Sequence, residues 1–144
     1  KKLENKYHRY EVSNYSITSY ESRHNLTYWK NNEYYGFGLG AAGYIDNIRY
    51  TNTRNLSKYI SENYERQEEV LTKEDKIKYE FILGLRLTSG INKDNFNKKY
   101  GININEIEVI KELINKGLLI DDEINIYVPK KYFYVLNDIL VNFV

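Results

Sequence analysis

A histidine, an asparagine, a tyrosine and a tryptophan fall within six consecutive positions of this chain, at His24, Asn25, Tyr28 and Trp29. Trp29 is the only tryptophan, and His24 is one of two histidines. A neutral imidazole can ligate a heme iron, and flat aromatic rings can contact a porphyrin. The four residues therefore form a candidate heme site with His24 as the iron ligand. The alternative is a structural role, in which His24 bonds within a helix and Trp29 packs into the core.

A glycine-rich segment follows directly, with four of the eight glycines at Gly36, Gly38, Gly40 and Gly43. Glycine permits positive φ and a close approach of the backbone to a ligand. Phosphate binding is disfavoured because no lysine follows in the register of a P-loop. Two interpretations stay open, namely a segment that lines a cofactor cavity and a tightly packed, bent pair of strands.

Local signals predict the elements that position these residues. The stretch Ser22 to Lys30 can form about two helical turns with its serine as N-cap, which places His24 and Tyr28 on one face through their i, i+4 spacing. A turn at Asp46-Asn47, two residues that tolerate positive φ, predicts a hairpin. Upstream, alternation over His8 to Ser13 predicts a short strand.

The composition is that of a globular protein. With 144 residues, 42% of them hydrophobic and 28% charged, the chain can bury one ordinary core or two small ones. No apolar run approaches the roughly 18 residues of a membrane span, so we expect a soluble, cytoplasmic protein that contacts membranes peripherally if at all. The absence of cysteine excludes disulfides, thiolate zinc sites and thiolate-held iron–sulfur clusters in this segment.

The second half of the chain is predicted to form a separate small domain. A helix from Asn55 to Arg66 is followed by a polar stretch up to Thr72, which we interpret as the boundary. The elements predicted beyond it are a helix capped by Thr72-Lys-Glu-Asp75, helices over Asn92 to Tyr100 and Asn105 to Lys116, a hairpin between Leu118 and Val128, and a helix over Lys131 to Phe143. This order of elements is typical of a winged-helix arrangement.

A winged-helix arrangement raises DNA binding as an alternative function. The helix that would enter a groove carries three acidic residues, Glu106, Glu108 and Glu112, against two lysines, Lys111 and Lys116. Negative charge facing phosphates opposes binding, and the net charge of +1 supplies no compensating attraction. We therefore expect no nucleic-acid partner.

Two acidic features are assigned no chemistry. Glu11 is a lone carboxylate near a strand end, and a lone carboxylate does not make an acid–base mechanism. The run Asp121-Asp122-Glu123 is expected to be a solvated turn and not a metal site. No catalytic residue is assigned to this chain.

Three motifs occur in a fixed order, namely Tyr10-Glu-Val-Ser-Asn14, His24-Asn-Leu-Thr-Tyr-Trp29 and Gly38-Leu-Gly-Ala-Ala-Gly-Tyr44. In this order and spacing the chain resembles the C-terminal part of the oxygen-independent coproporphyrinogen III oxidase-like radical SAM proteins. The second motif resembles the heme chaperone branch of that superfamily, called HemW. Similarity continues through Phe81-Ile-Leu-Gly-Leu-Arg-Leu87 and Gly117-Leu-Leu119.

The resemblance implies an α+β fold in two parts. Residues 1–65 would form the end of a partial radical SAM α/β barrel, with the histidine motif and the glycine-rich segment. Residues 66–144 would form a HemN-type C-terminal domain of winged-helix-like shape. The family carries its cluster cysteines in an N-terminal barrel, so we expect this chain to be a C-terminal fragment that is inactive alone.

The resemblance also assigns ligands. It implies that His24, Asn25, Tyr28 and Trp29 bind heme, and that the full-length parent holds S-adenosylmethionine and a [4Fe-4S] cluster. The residues that it places around the S-adenosylmethionine and substrate cavity are Gly38, Gly40, Ala42 and Tyr44. Family members often carry a histidine at the position of Ala42, so a second nearby imidazole is missing here, and His8 is expected to be an exposed residue and not its replacement.

Two functions follow from the resemblance. The first is heme binding and transfer to heme-acceptor proteins. The second is oxygen-independent coproporphyrinogen III oxidation in porphyrin biosynthesis, with this segment shaping the substrate cavity. Both imply heme or a porphyrin as ligand and contact with the N-terminal barrel of the same protein. A third possibility is a scaffold domain whose function lies entirely in that barrel.

Overall fold

Short strands and helices alternate along the computed structural model, which describes residues 6–144. The first five positions of the predicted 1–65 segment lie outside the described residues. The strands are β1 His8–Arg9, β2 Tyr15–Ser16, β3 Ala42–Ile45, β4 Ile48–Asn52, β5 Arg66–Val70, β6 Ile91–Asn92, β7 Ile120–Asp121 and β8 Asn125–Tyr127. The helices are α1 Arg23–Trp29, α2 Leu56–Ile60, α3 Lys73–Gly84, α4 Lys93–Tyr100, α5 Glu108–Asn115 and α6 Leu136–Leu140. The fold is thus a mixture of helix and sheet, as predicted.

The middle of the chain forms an antiparallel sheet in the order β3-β4-β5. The predicted hairpin is confirmed, because Asp46 and Asn47 turn the chain with φ of 50° and 66° between the paired residues Ile45 and Ile48. Positive φ at both central residues matches the right-handed twist of the flanking strands.

The helix predicted for the next segment is shorter than expected. The helix expected over Asn55 to Arg66 ends at Ile60. Glu62 then has a φ of 58°, which lies outside the range of a right-handed helix. The polar stretch that we interpret as a domain boundary contains β5, whose residues Arg66–Val70 pair with β4 over their whole length. All five residues of β5 are exposed, so ladder hydrogen bonds and not burial stabilise the strand, which explains why its polar composition concealed it.

The main core lies in the second half of the chain. Helix α3 begins at a capping box, in which Thr72 and Asp75 each bond the other's backbone N–H, as predicted. The Phe81 ring stacks on Phe96 and Phe143 with centroid separations of 5.4 and 4.7 Å. The core residues that are at most 2% exposed are Phe81, Leu85, Phe96, Ile104, Ile110, Leu113, Leu119, Ile126, Val128 and Ile139.

A second antiparallel sheet, in the order β6-β8-β7, closes this core. Asp121 at the end of β7 was expected in a solvated turn, but its side chain is only 22% exposed and pairs with Lys93 Nζ at 2.6 Å. It also accepts a hydrogen bond of 2.8 Å from Asn105. The Lys93 ammonium holds the pKa of the Asp121 carboxyl below its ordinary value.

The helical signals of the C-terminal half were correct in position, but two of the predicted helices are α-helical over only part of their length. The predicted Asn105 to Lys116 helix is a 3-10 turn over Ile104–Glu106 followed by α5. The predicted last helix is a 3-10 helix over Lys130–Val135, then α6, then a 3-10 helix over Val141–Phe143, and Val135, at the first change, has a φ of −116° and a ψ of 21°. Helix α4 matches its prediction, since Asn92 caps its start and Gly101, with a φ of 67°, ends it.

The N-terminal segment packs against the second half. Thr88 N–H donates to the carbonyl of Tyr10 at 3.1 Å, and Glu11 forms a single bridge with Leu87. Glu11 is fully buried and accepts a hydrogen bond of 3.1 Å from the backbone N–H of Ser13. The strand predicted over residues 8–13 is therefore limited to β1 and one bridge.

No helix among residues 6–144 has the length and apolar character needed to cross a bilayer, the longest being the 12 residues of α3.

The division of the chain into 1–65 and 66–144 stays a prediction. We expect the segment 73–144, produced alone, to unfold in one cooperative transition, because the main cluster of buried side chains lies within residues 81–143. Thermal denaturation followed by circular dichroism measures this. A gradual loss of signal with no transition would contradict the proposed boundary.

Candidate functional site

Helix α1 places the imidazole of His24 beside the phenol of Tyr28. Ser22 caps the helix by accepting a hydrogen bond of 3.3 Å from the backbone N–H of Asn25, as predicted. The i, i+4 spacing then brings His24 Nε2 within 2.9 Å of Tyr28 Oη, with the two rings edge to face at 4.6 Å. His24 is exposed and Tyr28 is partly buried, so the imidazole lies at the outer end of the pair.

A third ring, Tyr34, continues this arrangement. Its ring packs edge to face on Tyr28 with a centroid separation of 4.3 Å. Burial raises the pKa of the Tyr34 hydroxyl, and the nearby Arg49 guanidinium partly opposes that rise. We call His24, Tyr28 and Tyr34 the aromatic row. The sequence analysis missed Tyr34 because its contact with Tyr28 depends on the backbone bridge between Tyr34 and Tyr44, which no local spacing indicates.

Asn25 and Trp29 make their contacts elsewhere. Asn25 Nδ2 lies 3.5 Å from Tyr10 Oη, and the Arg86 guanidinium of α3 lies 5.7 Å from the Trp29 ring centroid. Trp29 Nε1 is buried and has no hydrogen-bond partner among the described residues. Successive helical residues point about 100° apart, so the four residues of the predicted site separate into the pairs His24–Tyr28 and Asn25–Trp29.

The glycine-rich segment is packed tightly against β3 and β4. A Cβ atom on Gly36 would lie 2.1 Å from the carbonyl oxygen of Ala42, and one on Gly43 would lie 2.2 Å from the Tyr50 ring. The Asn52 amide donates to the carbonyls of Gly36 and Gly38 at 3.2 and 2.9 Å. These contacts favour the interpretation as a packed, bent pair of strands at Gly36 and Gly43.

The residues predicted for the cofactor cavity have different surroundings. Gly38 and Gly40 take positive φ of 95° and 68° in the turn before β3. Ala42 is exposed and lines a cavity of about 500 Å³. Tyr44 is only 5% exposed, and the Arg49 guanidinium covers its ring at 4.6 Å.

Arg49 was not singled out from the sequence. Its guanidinium lies between the Tyr44 ring and the Tyr79 ring of α3, 4.6 and 4.0 Å from the two centroids. Such a sandwiched guanidinium contributes about 0.5–2 kcal/mol for each cation–π contact, depending on its exposure. Arg49 thereby ties the sheet to the helix that begins the second half of the chain.

His8, the other histidine, lies apart from the aromatic row. Its side chain is 41% exposed and contacts Glu21 Oε1 at 2.7 Å. Within residues 6–144, no three His, Asp or Glu side chains converge as a metal site.

The sequence of the second half matches a known domain family. Residues 71–131 match the HemN C-terminal domain. The chain is similar to the curated heme chaperone HemW of Lactococcus lactis subsp. lactis (strain IL1403). The identity is 40% over an alignment of 144 residues, which covers 96% of this chain and 38% of that protein. The chain is also 41% identical to the heme chaperone HemW of Bacillus subtilis (strain 168) over 83% of this chain and 34% of that protein.

A solved structure shares the fold. The chain superposes on coproporphyrinogen III oxidase (HemN) from Escherichia coli, a radical SAM enzyme, with a TM-score of 0.59 and 17% identity over 97% of this chain and 32% of that one. At this identity the likeness concerns the fold alone. The chain spans less than two fifths of the length of the curated relatives described above. The sequence identities show that the chain belongs to the family of the heme chaperone HemW, with a HemN C-terminal domain over residues 71–131.

Proposed function

We propose that the protein binds heme as a cargo and transfers it to heme-acceptor proteins. The observation that carries this proposal is the aromatic row, which ends in the exposed imidazole of His24. The relatives from Lactococcus lactis and Bacillus subtilis are named heme chaperones, and their identities of 40% and 41% favour this function over coproporphyrinogen III oxidation. The oxidase shares only 17% identity with the chain.

The residues of the aromatic row fit heme as a ligand. The His24 imidazole is exposed, so an iron can approach it without displacing a core side chain. Its Nε2 atom is hydrogen-bonded to the Tyr28 hydroxyl, and giving up one such hydrogen bond costs about 0.5–1.5 kcal/mol. Tyr28 and Tyr34 supply ring faces and edges for a porphyrin.

Asn25 and Trp29 contribute to heme binding indirectly. Because their contacts are with Tyr10 and Arg86, they orient α1 and thereby the imidazole that it carries. The position of Ala42 provides no second imidazole, so His24 is the one imidazole that we assign to the iron.

The remaining features belong to the parent radical SAM protein. Its [4Fe-4S] cluster and S-adenosylmethionine supply radical chemistry, for which this chain has no cysteine ligands. We assign Ala42 to the cavity of about 500 Å³, Gly38 and Gly40 to the turn before β3, and Tyr44 to the buried part of that strand. Residues up to 65 are the end of the partial barrel in this proposal.

The order of elements supports a winged-helix-like second domain. Helices α3, α4 and α5 precede the β7–β8 hairpin, and β6 adds a third strand. We nevertheless expect no nucleic-acid partner, since Glu108 and Glu112 lie exposed on α5 and neutralise its two lysines through ion pairs of 3.2 and 3.4 Å. Heme-acceptor proteins and the N-terminal barrel are the expected partners.

Loss of the imidazole should weaken heme binding. We expect His24→Ala to abolish the Soret shift of bound hemin and to lower the affinity for hemin at least about 10–100-fold. Mutation of groups that only hydrogen-bond to a metal ligand already lowers metal affinity by about that factor. His8→Ala is the matched control, because it removes the other histidine, which is paired with Glu21. Hemin titrations followed by absorbance, at matched thermal stability, measure both.

A second variant separates ligation from packing. Tyr28→Phe keeps the ring against Tyr34 but releases His24 Nε2, so hemin affinity should stay equal or rise by up to about tenfold. Equal affinity and an unchanged Soret band in His24→Ala would remove the imidazole as a ligand. His24 would then have only its structural role in α1.

A further inference from the structure

Asn31 occupies a left-handed position directly after α1. Its φ is 49°, its exposure is 3%, and its backbone N–H donates to the Tyr28 carbonyl at 2.9 Å. Asparagine is among the few residues other than glycine that adopt this conformation readily. The backbone at Asn31 is therefore part of the end of the helix that carries His24.

The Asn31 side chain joins α1 to α3 and β4. Its Nδ2 lies 3.4 Å from the Lys76 carbonyl and 3.3 Å from Glu80 Oε2, both in α3. Its Oδ1 accepts a hydrogen bond of 2.5 Å from Arg49 in β4. Both ends of the amide are used, so neither a carboxylate, which cannot donate, nor an apolar side chain reproduces these contacts.

Helix α4 completes the network. Lys99 Nζ donates to the Asn31 carbonyl at 3.2 Å and to Glu80 Oε2 at 2.7 Å. Tyr100 Oη also donates to Glu80 Oε2 at 2.7 Å, and burial together with this carboxylate raises the pKa of Tyr100. Glu80 is only 12% exposed, so the network is largely shielded from water, where losing one partner leaves others unpaired.

Asn31 is connected to both ends of the Tyr28–Tyr34 contact. The Asn31 N–H donates a hydrogen bond to the carbonyl of Tyr28. Its side chain accepts a hydrogen bond from Arg49, whose positive charge opposes the rise that burial causes in the pKa of Tyr34. A shift of α1 relative to α3 would therefore change the geometry of the aromatic row.

We propose that Asn31 is a positioning residue that couples the orientation of α1 to the HemN C-terminal domain and so sets the geometry of the aromatic row for heme. The part that concerns heme rests on the proposed function above. The part that concerns α1 stands on the hydrogen bonds of Asn31 to α3, α4 and β4.

Asn31→Gly tests the coupling, because glycine keeps the left-handed backbone and removes only the amide. Asn47→Gly is the matched control: Asn47 also has positive φ, at 66°, and loses a single exposed hydrogen bond to Lys76. The sole tryptophan, Trp29, lies two residues before Asn31, and its ring is 5.7 Å from the Arg86 guanidinium just after α3. Its fluorescence therefore reports how α1 packs against α3. Asn31→Asp is a second variant, since it keeps the acceptor for Arg49 but cannot donate to Glu80 and brings a second carboxylate against it.

In Asn31→Gly we expect a red shift of Trp29 emission and stronger quenching by acrylamide, measured well below the melting temperature. Hemin affinity should fall about threefold to tenfold with an altered Soret band, as expected for the loss of two or three hydrogen bonds. Asn31→Asp should change both readouts at least as much as Asn31→Gly, because it places a second carboxylate beside Glu80. Asn47→Gly should match wild type in every measurement.

The outcomes separate the two proposals. Unchanged Trp29 emission and quenching in Asn31→Gly would overturn the coupling, whatever heme does. Changed emission with unchanged hemin affinity and Soret band would overturn the role of Asn31 in the heme site. Absence of hemin binding to the wild-type protein would overturn the proposed function, while the Trp29 measurements would still decide whether Asn31 seats α1.

Discussion

Replacing Phe96 with alanine is expected to lower the free energy of unfolding by about 3–5 kcal/mol. The Phe96 ring is only 1% exposed and lies 5.4 Å from the Phe81 ring and 4.8 Å from the Tyr100 ring. Alanine removes these contacts and leaves a cavity in a core that is packed from several elements, and the cost depends on how far that core can collapse.

Chemical denaturation with urea measures this change. The control is Tyr134→Ala, which removes an aromatic side chain that is 91% exposed and should change stability by no more than about 0.5 kcal/mol. Since the total stability of a domain is about 5–15 kcal/mol, Phe96→Ala consumes a large part of it. A loss below about 1 kcal/mol would show that the core described around Phe81 is not the one that stabilises the protein.

Gly90→Ala is expected to have the second largest effect. Gly90 precedes β6 with a φ of 66°, and an added Cβ would lie 2.1 Å from the carbonyl oxygen of Ile126 in β8. The left-handed backbone costs a residue with a Cβ about 1–2 kcal/mol, and forcing apart a packed contact costs about 1–3 kcal/mol more. Because the obstructing atom belongs to the backbone, a rotamer change offers no relief.

Gly101→Ala isolates the steric part of this prediction. Gly101 has nearly the same φ, 67°, but an added Cβ would meet no atom within 4 Å. We expect Gly101→Ala to show only the backbone cost of about 1–2 kcal/mol. Equal losses of unfolding free energy for Gly90→Ala and Gly101→Ala in the same urea titration would contradict the steric part. They would mean that the contact between Gly90 and the Ile126 carbonyl adjusts to the added Cβ without loss of stability.

Signals that act over a few residues were read correctly from the sequence. The Ser22 cap, the His24–Tyr28 pair, the Asp46-Asn47 turn and the box from Thr72 to Asp75 are all present. Each depends on residues at most four positions apart, so a hydrogen bond or a turn conformation fixes it locally. Family membership was equally accessible, because motif order and spacing are properties of the sequence alone.

Pairings between distant segments were not accessible in this way. β5 has five exposed residues, four of them polar, and only its ladder with β4 makes it a strand, so no apolar pattern in the sequence indicated it. The candidate heme residues form the pairs His24–Tyr28 and Asn25–Trp29, which contact different parts of the fold. A sequence motif does not contain information on those contacts.

The sequence by itself determined the family, the capped helix that carries His24 and the hairpin beside it, because caps, turns and helical spacing need only neighbouring residues. Only the tertiary structure decided that Tyr34 joins the aromatic row and that Asn31 bonds to Lys76, Glu80 and Lys99. Those partners lie 45, 49 and 68 positions further along the chain. Contacts at such separations depend on how whole helices and sheets pack, and no short-range signal in the sequence specifies them.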